Sequence, residues 1–183
     1  MRKQIFVTST VFLFCTVLTA QKTNSENEKI SGQTSFFAEG GGPGIAFSAN
    51  FDRRFNQTHL GWGGRAGLGF VSGYEDYYDP VSGNYTYNGE KSAITVPVQV
   101  NYIFGKSSSP HSFEVGGGIT YVSTKLDIMN FYDEKRSNLF GTFSFMYRRQ
   151  PLNGGFSWRA GFTPLVAKSY IQPFGAVSIG YNF

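Results

Sequence analysis

Apolar and polar residues alternate with a period of two along most of the chain after residue 34. A β-strand places successive side chains on opposite faces, so this period predicts strands that each have one apolar and one polar face. There are eight such alternating segments, separated by stretches rich in Gly, Pro, Asn and Ser. The eight segments span residues 35–41, 45–55, 60–71, 94–104, 112–122, 139–148, 155–165 and 170–183.

The second and fourth segments illustrate the pattern. In the second, Ile45 begins an apolar face that continues with Phe47, Ala49 and Phe51. In the fourth, an apolar face of six residues runs from Ile94 to Phe104 and lies opposite Pro97. Because proline has no backbone N–H for the ladder, we expect a local β-bulge at Pro97.

The final segment has the most regular faces. One face is apolar and ends in two aromatic residues; it carries Ile171, Pro173, Gly175, Val177, Ile179, Tyr181 and Phe183. The other face is small or polar at every position except Phe174. With eight strands, this segment must close the sheet by pairing with residues 35–41, the shortest segment.

Connection lengths indicate how the strands are arranged. The connections at 56–59, 105–110 and 149–154 are short, whereas the alternate set includes the long connections 72–93 and 123–138. Bacterial membrane barrels have short periplasmic turns and longer outer loops, with both chain ends in the periplasm when the strand number is even. The brief connections 42–44 and 166–169 are exceptions on the outer side.

The polar face distinguishes a membrane barrel from a soluble one, which would hide its apolar face inside. A soluble exterior should be dense in Lys and Glu, but this face consists mainly of Gly, Ser, Thr, Asn and Gln. The apolar face also carries aromatic residues near the short turns, as membrane interfaces favour. They are Phe55, Trp62, Tyr102, Phe104, Phe113, Tyr147, Phe156, Trp158, Tyr181 and Phe183. We therefore predict an all-β, eight-stranded antiparallel up-and-down transmembrane β-barrel over residues 35–183.

The N-terminal residues have the form of a secretory signal peptide. Basic Arg2 and Lys3 precede an apolar run, and Ala20 precedes a polar residue, so we expect cleavage after residue 20 and a flexible periplasmic leader over residues 21–34. The only cysteine, Cys15, lies in the signal, after Phe14 rather than the small residue that lipidation would require. The remaining part has 14 basic and 12 acidic residues, a balance that does not indicate nucleic-acid binding.

The ending at residues 178–183, together with the signal peptide, resembles that of small eight-stranded outer-membrane barrels of Gram-negative bacteria, of the OmpA-like and OmpX-like kind. The resemblance implies a monomeric barrel in the outer membrane, surrounded by lipid and lipopolysaccharide and inserted by the BAM machinery. It also implies that Ile179, Tyr181 and Phe183 form the assembly signal. An envelope-structural or surface-interaction role is the function that the resemblance implies.

Seven charged side chains fall on the inward face. They are Glu39, Asp52, Arg54, Arg65, Glu114, Arg148 and Arg159. Unpaired buried charges cost several kcal/mol, so we expect these residues to form ion pairs in the lumen. Such a network would either plug the barrel or line a narrow, gated channel for small solutes.

The second outer loop holds the main candidate surface for a partner. It contains five tyrosines, Tyr74, Tyr77, Tyr78, Tyr85 and Tyr87, among four carboxylates. Tyrosine offers a large contact area at a low entropy cost, so the loop suits recognition of an extracellular protein or glycan. Extension of the outer aromatic girdle is the alternative role of these residues. The carboxylates lack the spacing of a known calcium loop, and we predict no metal and no cofactor.

Catalysis is not expected. His59 and His111 fall in or beside turns assigned to the periplasmic side, away from lipid A in the outer leaflet. A lipid A-modifying enzyme therefore remains only an alternative, and no catalytic residue is assigned. The glycine runs at 40–42 and 116–118 lack the lysine and helix of a phosphate-binding loop.

Overall fold

The computed structural model describes residues 32–78, 81–86, 89–132 and 135–183, so the predicted signal peptide and most of the predicted leader lie outside it. The described strands are β1 (Thr34–Gly41), β2 (Phe47–Arg54), β3 (Gly61–Tyr74), β4 (Tyr77–Tyr78), β5 (Tyr85–Thr86), β6 (Glu90–Gly105), β7 (His111–Val122), β8 (Leu139–Arg149), β9 (Gly155–Phe162), β10 (Leu165–Ala167), β11 (Tyr170–Gln172) and β12 (Gly175–Asn182). One 3₁₀ turn, Gly42–Gly44, joins β1 to β2. Within these ranges, no helix is long and apolar enough to cross a bilayer.

The strands form a closed antiparallel barrel. Each barrel strand pairs with its neighbours in the chain; β4 and β5 form a separate hairpin. Strand β12 closes the ring by pairing with β1, with a register that runs from the pair Ser35 and Asn182 to the pair Gly41 and Ala176. The seam continues past the strand ends, because Gly32 N donates to Phe183 O at 2.6 Å and Phe183 N donates to Thr34 O at 2.8 Å. The predicted all-β, eight-stranded barrel is confirmed, with its first and last strands paired.

Prolines interrupt the last two strands of the barrel without shifting their register. The seventh barrel strand consists of β9 and β10 on either side of Pro164, and the eighth consists of β11 and β12 on either side of Pro173. Phe162 lies opposite Gly175 and Leu165 lies opposite Gln172, which is a single register across both breaks. Proline lacks the N–H that would donate to the ladder, so the pairing stops locally and then resumes.

The expected bulge at Pro97 is absent, and that prediction is wrong. Ala66 pairs with Val98 before the proline and Gly69 pairs with Thr95 after it, so the β3–β6 register is the same on both sides. The β6–β7 ladder runs through Pro97 without a break. The missing N–H therefore costs hydrogen bonds toward β3 alone, and no extra residue is inserted.

Outward side chains are apolar, and inward side chains near the turns are polar. Phe36, Phe51, Val98, Phe145 and Ile179 are among the large exposed residues on the outside. Outward aromatic rings are in contact toward the end of the barrel where Gly32 and Phe183 meet and the short turns lie, called here the turn end. Centroid distances are 5.2 Å for Trp62–Tyr102, 5.2 Å for Tyr147–Trp158 and 5.1 Å for Tyr181–Phe183.

The barrel wall is much lower on one side. Strands β1 and β2 have eight residues each, whereas β3 has 14 and β6 has 16. The β1–β2 connection does not continue outward as a loop but folds into the barrel, where Gly42, Pro43 and Gly44 are buried. Ile45, expected to begin the apolar outer face of the second strand, is instead fully buried in the interior. That expectation is wrong because β2 begins two residues later, at Phe47.

Neighbouring glycines of β7 provide a test of how tightly the interior is packed. A methyl group on inward Gly118 would lie 2.0 Å from Val98 O, whereas one on outward Gly117 would meet nothing closer than Phe143 at 3.5 Å. We predict that Gly118→Ala lowers the free energy of unfolding by about 1–3 kcal/mol through overpacking. Gly117→Ala should leave it unchanged or raise it by up to about 1 kcal/mol, because it restricts the unfolded chain. Thermal melting of the folded band on gels measures both, and equal melting would contradict the prediction.

Candidate functional site: the barrel interior and the loop end

Glu114 joins two arginines at the centre of the interior network. Its Oε2 accepts from Arg148 Nη1 at 3.0 Å and from Arg159 Nη1 at 3.3 Å, and its Oε1 accepts from Asn101 Nδ2 at 3.1 Å. Arg148 Nη1 also donates to Asp52 Oδ2 at 2.9 Å. All these side chains are nearly inaccessible to solvent, so each charge depends on its protein partners.

Arg54 and the Glu39–Arg65 pair complete the network. Arg54 forms an ion pair with Asp52, and Arg65 Nη2 donates to Glu39 Oε1 at 2.9 Å. The ring of Phe37 lies between two guanidinium groups, with its centroid 3.3 Å from Arg159 Cζ and 5.3 Å from Arg65 Cζ. The seven residues predicted to face inward are thus brought together, four arginines with three carboxylates.

The Gly42–Gly44 turn lies directly above this network. A Cβ atom on Gly42 would be 2.6 Å from Glu39 Oε1, so only glycine fits against the carboxylate. Hydroxyl groups on the opposite wall hold the turn, since Thr95 Oγ1 donates to Gly44 O at 2.9 Å and Thr120 Oγ1 donates to Pro43 O at 2.6 Å. The turn therefore crosses the lumen from β1 and β2 to β6 and β7.

Ile45 leaves the turn in a strained conformation. Its φ of 73° and ψ of −84° are unfavourable for a β-branched residue and cost about 1–3 kcal/mol. Complete burial of its side chain offsets this, because enclosing an isoleucine stabilises the fold by about 1.5–3 kcal/mol. The burial of Ile45 therefore keeps the turn inside the barrel despite the backbone strain.

The end of the barrel opposite the turn end is called here the loop end. Between the Gly42–Gly44 turn and the loop end, an apolar cluster fills the barrel. Its members come from the ends of several strands and from residues 123–138, and all are buried. They are Ile45, Val71, Ala93, Val122, Leu126, Ile128, Phe131, Phe140, Leu165 and Ala167, with Tyr170 and Phe174 packed against them. Phe174, the exception on the polar face of the last segment, thus contacts this cluster.

Residues 123–138 cross the mouth of the barrel and reach the far side. Asp127 N donates to Tyr74 O at 2.7 Å, which places the segment at the free edge of β3. Asn130 Nδ2 donates to Gln172 Oε1 at 2.6 Å, which attaches the tip of the segment to β11. Arg136 pairs with Asp127 and donates to Asp76 O, so the same segment also braces the base of the second loop.

The second loop rises from the two longest strands. Tyr74 is 55% exposed at the end of β3, and Ser72 Oγ lies 3.0 Å from Ser92 Oγ across the β3–β6 hairpin. Beyond it, Tyr77 pairs with Thr86 and Tyr78 with Tyr85 in a short second hairpin. Tyr87 lies outside the described residues, as does Asp79.

Neither histidine lies near the loop end. His111 is exposed beside the short β6–β7 turn, with Nδ1 2.5 Å from Tyr147 Oη on β8. His59 is half-buried in the β2–β3 turn, where desolvation and the charge of Arg148 lower its pKa. Among the residues that the structure describes, no three His, Cys, Asp or Glu side chains form a group that could hold a metal ion.

The sequence reasoning missed the apolar cluster. A signal was present, because apolar residues occupy both faces at the loop end of most strands. Such adjacent pairs are Phe70-Val71, Ala93-Ile94, Tyr121-Val122, Leu139-Phe140 and Leu165-Val166. The strict alternation ends at these pairs, which marks where the interior changes from polar to apolar.

Comparison with one solved structure supports the same architecture. The N-terminal β-barrel domain of Pseudomonas aeruginosa OprF superposes with a TM-score of 0.50 at 10% identity, covering 84% of this chain and 99% of that one. This is the fold of a small outer-membrane β-barrel. The outer membrane protein Ail of Yersinia pestis, in a phospholipid bilayer nanodisc, gives a TM-score of 0.49 at 16% identity, over 83% of this chain and 99% of that one. Neither protein-family models nor curated proteins gave a match.

The closed sheet and its apolar exterior agree with that fold. Large apolar side chains cover the outside of the barrel, where a soluble protein would expose charged residues. Together these observations confirm the predicted resemblance to small outer-membrane barrels, and the apolar exterior fits a barrel that spans a membrane.

The interior network predicts a large effect of removing one carboxylate. In Glu114→Gln, Arg148 and Arg159 lose a shared partner and the four arginines face only two carboxylates. We expect the free energy of unfolding to fall by about 3–5 kcal/mol, as for other broken buried pairs. The matched control is Glu75→Gln, which breaks the more exposed pair with Lys91 and should cost at most about 1 kcal/mol.

Urea titration in lipid vesicles, followed by the fluorescence of Trp62 and Trp158, measures both variants. Equal unfolding midpoints for the two would contradict a stabilising role of the network.

Proposed function

We propose that this protein is a non-enzymatic outer-membrane barrel that binds an extracellular protein or glycan through the β3–β6 hairpin and the tyrosine-rich loop at its end. The observation that carries this proposal is the length of the two strands. A membrane-barrel strand gains roughly 2.3 Å per residue along the membrane normal, so the 16 residues of β6 reach roughly 37 Å. Because the apolar band of such barrels is about 25 Å tall, the hairpin projects roughly 10 Å beyond it.

The base of the tyrosine-rich loop is held on more than one side. Asp127 bonds to the Tyr74 backbone, Arg136 donates to Asp76 O, and Lys91 pairs with Glu75 across the hairpin. A surface that is fixed before binding loses less conformational entropy when a partner docks. These contacts therefore favour a loop that recognises a partner over a loop that is only solvated.

The alternative of a narrow channel has less support. The ion network, the Gly42–Gly44 turn and the apolar cluster occupy successive levels of the interior. An eight-stranded barrel is only just wide enough for side chains to fill it. This arrangement favours a structural interior over a conducting one, and the function is then carried by the surface.

Replacing tyrosines in the loop tests the proposal. Cells that display the full chain are applied to arrays of extracellular-matrix proteins and glycans, beside cells that display a Tyr77→Ser, Tyr78→Ser, Tyr85→Ser variant. We expect at least one ligand to be bound by the unaltered protein and to lose about ten-fold or more of its binding in the variant, since aromatic anchors dominate such interfaces.

The control is Val81→Ser in the same loop, because Val81 is almost fully exposed and is not aromatic. This variant should bind as the unaltered protein does. A binding profile that is identical for all three proteins, or that is lost equally in both variants, would refute the role of the tyrosines.

A further inference from the structure

A window interrupts the barrel wall where β1 and β2 end low. Beyond Gly41 and Phe47, no part of β1 or β2 separates the outer end of β3 from β11. The window has a volume of about 740 Å³, within the range of about 300–1,000 Å³ that small-ligand sites occupy. Gly40, Gly41 and Ala46 lie at its lower edge, Ile128 and Met129 line it from the segment that crosses the mouth, and Phe174 and Ala176 line it from the last strand.

The lining is apolar and continuous with the buried cluster. Among the lining residues that the structure describes, none is charged, and Ser72 alone has a polar side chain. Ile45, Val71 and Ile128 belong both to the window and to the apolar cluster behind it, and Phe174 packs against that cluster. A ligand in this window would therefore contact hydrocarbon on its inner side and would find few hydrogen-bond partners.

The depth of the window in the membrane identifies what lies outside it. The eight residues of β1 reach roughly 18 Å along the membrane normal, short of the top of an apolar band about 25 Å tall. Outward apolar residues continue past the lower edge on both sides, with Ile94 60% exposed on β6 and Ile171 61% exposed on β11. The lower edge of the window thus lies at the depth of the lipid tails.

We propose that this window takes up a hydrocarbon chain of a membrane lipid from the leaflet at the loop end. The chain enters from the side, between Ser72 on β3 and Gly175 on β12, and lies against Ile128, Phe174 and Ala176. Lipid tails are the apolar groups present at this depth, and the window is open on the side that faces them. Uptake of one chain removes apolar lining from contact with the headgroup region and with water.

Photolabelling in vesicles tests the proposal. The full chain is folded into phosphatidylethanolamine and phosphatidylglycerol vesicles that contain a phospholipid with a diazirine at the end of one acyl chain. After irradiation, peptide mass spectrometry locates the adducts. We expect adducts on the buried residues Ile128 and Ala176 in addition to those on lipid-facing residues such as Ile171.

Two glycine substitutions separate the window from the rest of the lipid-facing surface. A Cβ atom on Gly40, which lines the window, would meet nothing within 4 Å, so Gly40→Trp should fold and obstruct the window. It should reduce adducts on Ile128 and Ala176 at least five-fold and leave those on Ile171 unchanged. The control, Gly141→Trp, adds the same group at an outward glycine of β8 whose nearest contact is 3.6 Å away, and should label normally. Gly175→Leu, which enters the same window, should reproduce the loss if Gly40→Trp does not fold.

Adducts confined to lipid-facing residues in every protein would overturn the proposal, as would undiminished labelling of Ile128 and Ala176 in the blocked variants. A second copy of the chain in the window would also overturn the proposal; it would show as absent lipid adducts on Ile128 and Ala176 together with covalent dimers after a bifunctional cross-linker is added to the vesicles.

Discussion

Pairing of the charges inside the barrel is the constraint on which the rest of the structure depends. Four arginines and three carboxylates lie in a lumen that is only just wide enough for side chains, where each ion needs partners of opposite charge. Glu114 and Asp52 each contact arginines that come from different strands. The network therefore ties together six strands of the wall, β1, β2, β3, β7, β8 and β9, including parts that are distant in the chain.

The short first hairpin determines what lies beyond the network. Because β1 and β2 end after eight residues, their connection is able to fold inward, and Glu39 at its base leaves room for glycine alone at position 42. The turn then separates a charged region near the turn end from an apolar region near the loop end. The same shortness removes part of the wall, so that one sequence feature produces both the inner turn and the lateral window.

Much of this fold could be predicted from the sequence because outward residues face lipid. Contact with lipid requires apolar side chains at every second position of a strand, and the sequence alternates in this way in eight segments. The seven inward charges could be found in the same way, since each interrupts a small or polar face. The expected bulge at Pro97 does not form, because the strand keeps its register when its other side remains paired.

Other features were not predictable because they depend on three-dimensional packing. Ile45 continues the period of two, but its position follows from the inward turn and from the cluster that receives it. The path of residues 123–138 likewise depends on contacts with Tyr74 and Gln172, which are distant in the chain. The window depends on the lengths of β1 and β2 relative to β3 and β11. The sequence of one segment alone does not show this difference.

A filled interior is the central claim, and single-channel recording in planar bilayers tests it most directly. Among the described residues, the ion network, the inner turn and the apolar cluster occupy successive levels of the interior. The purified barrel should therefore give no discrete conductance steps at moderate voltage. Reproducible steps of one size, retained after repeated purification, would contradict a closed lumen and would favour a narrow channel instead.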